Sequence, residues 1–353
     1  AVMRTHKAQV NSRHLVRAAF PLDPGDDVLC SYPISFIAEP LWSSGAHLVD
    51  MAVLDFPENP ETLPGDMREI SPKCVGNFPR AWEGMVSTMQ IRVNDAGFLK
   101  RTIFNLCLRY VGFKVADRIM SGKKLNPLWK ALYKLAWWVA FRPILDKHGM
   151  MKAKWGITGA YILGQDTFRA LRAVGIDLRQ FFASTEQGVM AVHFPGEVRA
   201  TSVGNLLPDV EVRIFEDGGM YQRGPGMLTG YFKDPQTTKE KIDKQGWFDS
   251  GDAAYIGETG HLFYIDRVSE LRELANGTKF SPQYIESQMR VGAYVKDCIA
   301  LGDSTTDYVA GIIVIDFESV GKWAEKRRLP YTTLVDLSQK EEVLDLVQKD
   351  VEK

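Results

Sequence analysis

Phe182-Ala-Ser-Thr-Glu-Gln-Gly188 sets an aromatic ring, two hydroxyls and a carboxylate side by side. It reads as one polar loop following an apolar helix. As an isolated string it is a turn with a capping Ser or Thr, the commoner fate of such residues between elements. The same groups also suit a nucleotide: an aromatic face for a base, a hydroxyl for a phosphate and a carboxylate for Mg²⁺.

The helix before this stretch is predicted over 165–175, where Phe168, Leu171 and Val174 recur at helical spacing. Further upstream, Val28-Leu-Cys-Ser-Tyr32 and Leu48-Val-Asp-Met-Ala-Val-Leu54 read as short buried strands. Strands alternating with helical stretches imply a layered α/β domain. Residues 99–150 differ. There Lys123, Lys124, Lys130 and Lys134 interleave with Leu128, Trp129, Leu132, Tyr133, Leu135, Trp137, Trp138 and Phe141, and Pro143 is expected to end the helix.

Downstream, residues 200–265 alternate, as in Val210-Glu-Val-Arg-Ile-Phe215, with turns at Asp217-Gly-Gly219 and Gly224-Pro-Gly226. That pattern is antiparallel β structure. After Arg267 a helix at 282–290, strands at Cys298–Leu301 and Ala310–Ile315, and terminal helices make a small α+β pattern. The expected fold is therefore α/β. A large layered domain with an antiparallel region spans 1–266, with a helical insertion near 99–150. A small α+β domain follows at 267–353.

Three further segments carry chemistry. In Gly246-Trp-Phe-Asp-Ser-Gly-Asp252, a tight acidic turn can equally place Asp252 to chelate two neighbouring ribose hydroxyls, since a carboxylate offers two acceptor oxygens. Asp266-Arg267 follows the strand His261–Ile265. Arg267 is either a surface ion pair or a donor to a nucleotide. Asn276-Gly277 before Ser281-Pro282 is a turn at which glycine lets backbone approach a ligand closely.

Composition narrows the classes. The chain has 353 residues, a formal net charge of -1, 45% hydrophobic and 25% charged residues. No global charge favours nucleic acid. Cys30, Cys74, Cys107 and Cys298 form no C-x-x-C pair, which argues against a disulfide scaffold and against structural zinc and fits a reducing, cytoplasmic compartment. The six histidines show no ligand spacing. The N-terminus does not read as a signal peptide, and no apolar run reaches the ~20 residues of a spanning helix. A peripheral position at a membrane surface, through Lys123–Phe141, is the expectation that the Trp- and Lys-rich stretch raises. Its plain counterpart is a helix packed on its own domain.

In order and spacing these segments resemble the adenylate-forming, AMP-binding superfamily of acyl-CoA synthetases, luciferases and peptide-synthetase adenylation domains. Thr158-Gly159-Ala160 is similar to the segment lying along adenine, and Phe182–Glu186 to Y-G-x-T-E. Gly224-Pro-Gly-Met-Leu-Thr-Gly-Tyr-Phe-Lys-Asp-Pro235 matches the G-P-x-x-M-x-G-Y-x-x-x-P signature, and Ser250-Gly-Asp252 matches T-G-D. Asp266-Arg267 begins the hinge, and Gly277–Pro282 resembles the loop that swings in for thioester formation. Pro72–Glu83 resembles the P-R-x-W-E stretch of the long-chain fatty-acid–CoA ligase branch, where residues 99–150 would be the helical insertion. The opening Ala1–His6 looks like the segment after the family's phosphate loop, and the family's catalytic lysine is expected beyond Lys353, so the chain by itself is expected to be inactive.

The resemblance implies ATP, fatty acid and CoA as substrates, with Mg²⁺. Glu186 would hold Mg²⁺, Thr185 the α-phosphate, Phe182 the adenine, and Asp252 and Arg267 the ribose. Thr158, Gly159, Ala160, Ala183 and Gly277 complete the cofactor contacts, and Thr185 and Glu186 are the catalytic pair. Phe36, Ala183 and Ser269 depart from the family pattern. If Ala183 stood at a positive φ, the side chain would cost roughly 1–2 kcal/mol. Two other readings remain beside the CoA ligase: an acyl-AMP ligase feeding a carrier protein or amine, and a non-catalytic lipid- or nucleotide-binding relative.

Overall fold

The computed structural model describes residues 1–159, 163–216, 218–289 and 294–352. The chain divides into two compact units. The first is Ala1–Glu216 with Met220–Ser250 and Tyr255–Tyr264; the second is Ile265–Lys353 with short pieces near Gly218 and Gly251–Ala254.

The first unit is built on a mixed sheet. Its strands β1 (Asp27–Leu29), β2 (Val53–Asp55), β3 (Cys74–Gly76), β4 (Trp155–Thr158), β5 (Leu178–Ser184), β6 (Gly188–Val192) and β7 (Gly204–Leu206) lie in the order β2-β1-β3-β4-β5-β6-β7. Pairing is parallel from β2 through β5 and antiparallel from β5 onward. The layered α/β expectation holds for this reason: parallel strands need helical crossovers that cover both faces. β4 is buried along its whole length, as a strand covered on both faces must be. Beyond β7 the alternating stretch forms the expected antiparallel hairpin of Glu211–Ile214 with Gly219–Arg223.

Helix Gln165–Val174 buries Phe168, Leu171 and Val174, the three residues its periodicity named, and Gly175 closes it in the left-handed region at φ 112°. Pro79 opens helix Pro79–Asp95, where its missing N–H costs nothing. Three residues on, Trp82 is fully buried and donates from Nε1 to the Ile157 carbonyl at 3.0 Å. The P-R-x-W-E stretch thus pins a helix to the middle of β4.

Three sequence expectations are corrected. Leu48–Leu54 is not a strand. Ser44–Asp50 is a helix closed by Met51 at φ 57°, and only Val53–Asp55 is extended. Asp50 decides this, because it is fully buried against Arg13 of helix His6–Val16 and Arg17 that caps its C-terminus. Pro143 does not end a helix. It occupies the first turn of Arg142–Lys147, which follows a wide helical turn at Trp137–Phe141. Phe182–Ser184 is the end of β5, not part of a loop after a helix, and Gly175–Asp177 separates it from that helix.

The second unit carries hairpins Arg272–Glu273/Lys279–Phe280 and Val295–Leu301/Ala310–Ile315, with helices Pro282–Met289, Phe317–Lys326, Leu334–Ser338 and Glu341–Val351. Its core gathers Val295, Cys298, Ile315, Val320, Leu337 and Val343.

Two features of the first unit yield measurable consequences. His193 is buried and accepts from the Gln180 N–H, and its Nε2 meets Ser202, which also contacts His261. Burial first, and the neighbouring His261 second, push its pKa down to about 3. The folded state holds it neutral, so below its ordinary value near 6.5 the unfolded chain takes up a proton that the fold refuses. Stability contributed by this neutral histidine is complete above that value and lost progressively toward pH 3. Urea unfolding at pH 7 and pH 5 should show a loss of about 2 kcal/mol, at ~1.36 kcal/mol per unit. His193→Gln should flatten the slope, and equal stability of the wild type at both pH values would refute the account. Gly226 gives the second test. A Cβ there would fall on the Gln187 carbonyl oxygen, whereas one at Gly65, in helix Leu63–Ile70, meets nothing within 4 Å. Chemical denaturation should find Gly226→Ala destabilising by about 1–3 kcal/mol and Gly65→Ala stabilising by about 0.5–1 kcal/mol.

Candidate functional site

β5 delivers the first group of residues. Phe182 and Ala183 lie near its end, and Thr185–Gln187 forms the turn into β6. The Ser184 hydroxyl accepts from the Gln187 N–H at 3.1 Å, so the plain capping role belongs to Ser184. Thr185 is left exposed and Glu186 half-buried at the tip. Ala183 is not among the residues with positive φ, so the departure from glycine carries no backbone strain. The pairing shifts register between Phe182 and Ala183, a bulge that re-aims the strand end just before the turn. Phe182 packs its ring on Tyr264 at 5.4 Å and 35°.

Glu186 is oriented by a residue the sequence reading did not single out. Tyr231 donates its hydroxyl to Glu186 Oε1 at 3.1 Å. Burial, then the Glu186 charge, push the Tyr231 hydroxyl up to about 12, so it stays a donor at neutral pH. The Glu186 main chain is held as well, since Leu228 N–H donates to the Glu186 backbone carbonyl at 2.6 Å. Tyr231 itself sits in a two-stranded pair with Val2–Met3.

Arg4 locks the same region. It donates from Nε and Nη2 to the Gly226 carbonyl at 3.1 and 2.8 Å, and from Nη2 to Ser12 at 2.9 Å. A Cβ on Gly188 would meet both Arg4 and Ser12 at 2.8 Å. Gly226 of the 224–235 signature and Gly188 therefore serve close backbone approach around one arginine. The signal for Tyr231 lies in that signature, whose G-Y pair is Gly230-Tyr231.

Thr158 and Gly159 end β4. Thr158 is fully buried with an Oγ1 that has no partner among the described residues, and a Cβ on Gly159 would collide with the Phe181 ring at 2.7 Å. Gly159 is thereby explained by packing. Ala160 lies outside the described residues. Phe36 joins Tyr32 and Phe78 in an aromatic cluster with centroid distances of 5.4–5.9 Å.

The second unit holds the remaining group. Asp252 is buried and pairs through Oδ1 with Arg267 Nη1 at 3.0 Å, so two residues named separately from sequence meet. Gly251 precedes Asp252 at φ 68°. Asp266 plays a structural part. Its Oδ2 accepts from the Ser281 hydroxyl at 2.6 Å, and Ser281 in turn caps the following helix through the Tyr284 N–H. Gly277 stands at φ 81° with no atom within 4 Å of a would-be Cβ, as a turn open to solvent requires. Ser269 lies in the single 3₁₀ turn Val268–Glu270.

No group of three or more His, Cys, Asp or Glu suited to a metal occurs among the described residues. A lone carboxylate is nevertheless the usual protein share of a Mg²⁺ site, in which phosphates and water supply the rest. The donor set at Glu186 fits that ion.

Comparison with known proteins places the chain in a family and a fold. The Mycobacterium tuberculosis protein fadD11 is 28% identical over 314 residues, covering 86% of this chain and 54% of that protein. Long-chain-fatty-acid–CoA ligase 6 of Homo sapiens is 26% identical over 340 residues, covering 92% and 47%. The chain thus spans about half the length of these relatives. Among solved structures, ATP-bound MatB from Rhodopseudomonas palustris superposes with a TM-score of 0.62 at 18% identity, over 89% of this chain and 55% of that one. That likeness shows a shared fold. The profile of the AMP-binding enzyme family matches residues 1–232, and the chain belongs to that family.

Proposed function

We propose that the protein activates a fatty acid, of the long-chain class, with ATP to acyl-AMP and passes the acyl group to CoA, giving acyl-CoA, AMP and pyrophosphate. The observation that carries this is the turn Thr185–Gln187 at the end of β5, with an exposed hydroxyl beside a carboxylate fixed by Tyr231. The names of the relatives and the Trp82 stretch support the fatty-acid substrate.

The chemistry explains why these groups suffice. A free carboxylate is a poor acyl donor, because its leaving group would be oxide. Attack of the fatty carboxylate on the α-phosphate replaces that leaving group with AMP. The CoA thiolate then attacks the acyl carbon and expels AMP. In such transfers the protein positions the reactants and meets phosphate charge. Thr185 donates to the α-phosphate and Phe182 offers a ring to adenine. Asp252 accepts from the ribose hydroxyls and Arg267 adds donors there. Glu186 would hold Mg²⁺, which would offset phosphate charge when bound. The second unit is assigned as the small mobile domain, with Gly277 in its thioester loop and the hinge at Asp266-Arg267.

Glu186→Ala in the intact protein should lower fatty-acid-dependent ATP–pyrophosphate exchange by about 10²–10³-fold, the scale of losing one preorganised charge-stabilising group. Tyr231→Phe should raise the Mg²⁺ requirement more modestly. Exchange near the wild-type rate in Glu186→Ala would remove this residue from the reaction. Asp252→Ala should weaken ATP binding by calorimetry, at about 1.5–3 kcal/mol for each charge-assisted hydrogen bond lost. An unchanged affinity would end the ribose assignment. Acyl-CoA formed only when CoA is supplied separates this reading from transfer to a carrier protein.

A further inference from the structure

Residues 98–147 contain eleven Lys and Arg against two acidic residues, Asp117 and Asp146, whereas the whole chain carries a net charge of -1. Asp117 is itself paired with Arg169 at 2.5 Å. The segment is therefore a concentrated positive region in a nearly neutral protein. It folds as two packed helical arms, Phe98–Gly112 and Pro127–Phe141. Their inner faces meet through Phe104 and Phe141, with ring centroids 5.9 Å apart.

The outer faces are apolar too. Leu128, Leu132, Leu135 and Val139 follow one another at helical spacing and are 37–64% exposed. Leu99, Leu106 and Tyr110 form a matching stripe on the other arm, 51–70% exposed. Each arm thus shows core residues to its partner and large apolar residues to solvent. Trp138 is 52% exposed with Arg142 over its ring at 4.3 Å, whereas Trp137 packs inward.

At the root of the arms lies a cavity of about 640 Å³ lined by Arg68, Arg92, Lys100 and Lys147, with Asp95 its one acidic wall residue. Gly97 lines it as well, so the cavity adjoins exposed Phe98 and Leu99. Beside it, His148 is held below its ordinary pKa by burial and by Arg92 and Lys147.

We propose that this surface docks the protein on an anionic lipid bilayer. The two apolar stripes enter the headgroup–acyl boundary, the surrounding Lys and Arg meet lipid phosphates, and the cavity takes an anionic headgroup. Outward apolar stripes rimmed with cations are what an interfacial helix needs, and each basic residue near such a surface adds attraction. A second copy of this chain is a poor occupant, because two such positive faces repel. The surface reaches beyond the Lys123–Phe141 stretch to include the 98–112 arm and the cavity, and it shares no residue with the nucleotide-site assignment.

Vesicle flotation tests the assignment. The wild type should float with phosphatidylcholine vesicles containing phosphatidylglycerol about tenfold or more better than with phosphatidylcholine alone, and less at high salt. Leu135→Glu/Val139→Glu, at solvent-facing positions, should lose binding to both while melting as the wild type does. Arg92→Glu/Lys147→Glu should lose the preference for anionic vesicles. Binding of both double variants equal to wild type would overturn the proposal. So would a wild type that ignores vesicles and sediments as a dimer that Leu135→Glu/Val139→Glu dissociates.

Discussion

Strand β5 has a parallel neighbour on one side and an antiparallel neighbour on the other, and the rest of the large unit is arranged around that change. A parallel strand must be covered on both faces, so β4 and the first residues of β5 are buried. An antiparallel neighbour needs only a tight turn, which allows the chain to reverse immediately after Ser184. The turn therefore emerges at the carboxyl end of the parallel half. In open α/β sheets that is where ligands collect. The placement of Thr185 and Glu186 follows from the sheet more than from their own propensities.

A turn at that place still has to be rigid to be useful. Its stiffness comes from residues far away in sequence. Arg4 reaches Gly226 and Ser12, Leu228 binds the Glu186 backbone, and Tyr231 fixes its side chain. The contacts run to the Gly226 carbonyl, the Ser12 hydroxyl, the Leu228 N–H and the Tyr231 hydroxyl, and glycine at 226 and 188 removes the Cβ atoms that would hold the segments apart. A carboxylate held in this way gives up little rotamer entropy on binding an ion, which is the physical content of preorganisation.

How much of this could be read from sequence depends on whether the signal is local. Helix 165–174 was legible because its apolar period is a property of ten adjacent residues. The antiparallel stretch was legible through its alternation and glycine turns. The helix at Ser44–Asp50 was not. Its string looks like a buried strand until Asp50 is known to face Arg13, which lies 37 residues earlier. Pro143 misled for a related reason, since proline both ends helices and begins them, and the wide turn before it keeps the chain helical. Glu186 and Asp252 could be named as candidates, but Tyr231 as the orienting group required knowing that residue 231 returns beside residue 186. Ala183 shows the reverse case. A motif rule raised the prospect of strain, and the backbone angle removes it.

The pairing of Asp252 with Arg267 bears on what a diol-binding carboxylate needs before its ligand arrives. A carboxylate this buried is costly to keep charged without a partner. Arg267, with a side chain 56% exposed, supplies the countercharge while remaining hydrated itself. The pair thus avoids the heavier desolvation of two buried ions. It engages Oδ1, which fixes the orientation of the carboxylate plane, and guanidinium has more N–H donors than one ion pair uses. The proposed ribose would therefore meet a carboxylate already paired and already aligned. Asp266 next to it is occupied differently, because its bond to Ser281 fixes the start of the following helix. Adjacent residues in one short motif divide the labour: Asp266 secures the fold of the second unit, and Arg267 holds Asp252, the residue proposed to meet the ribose.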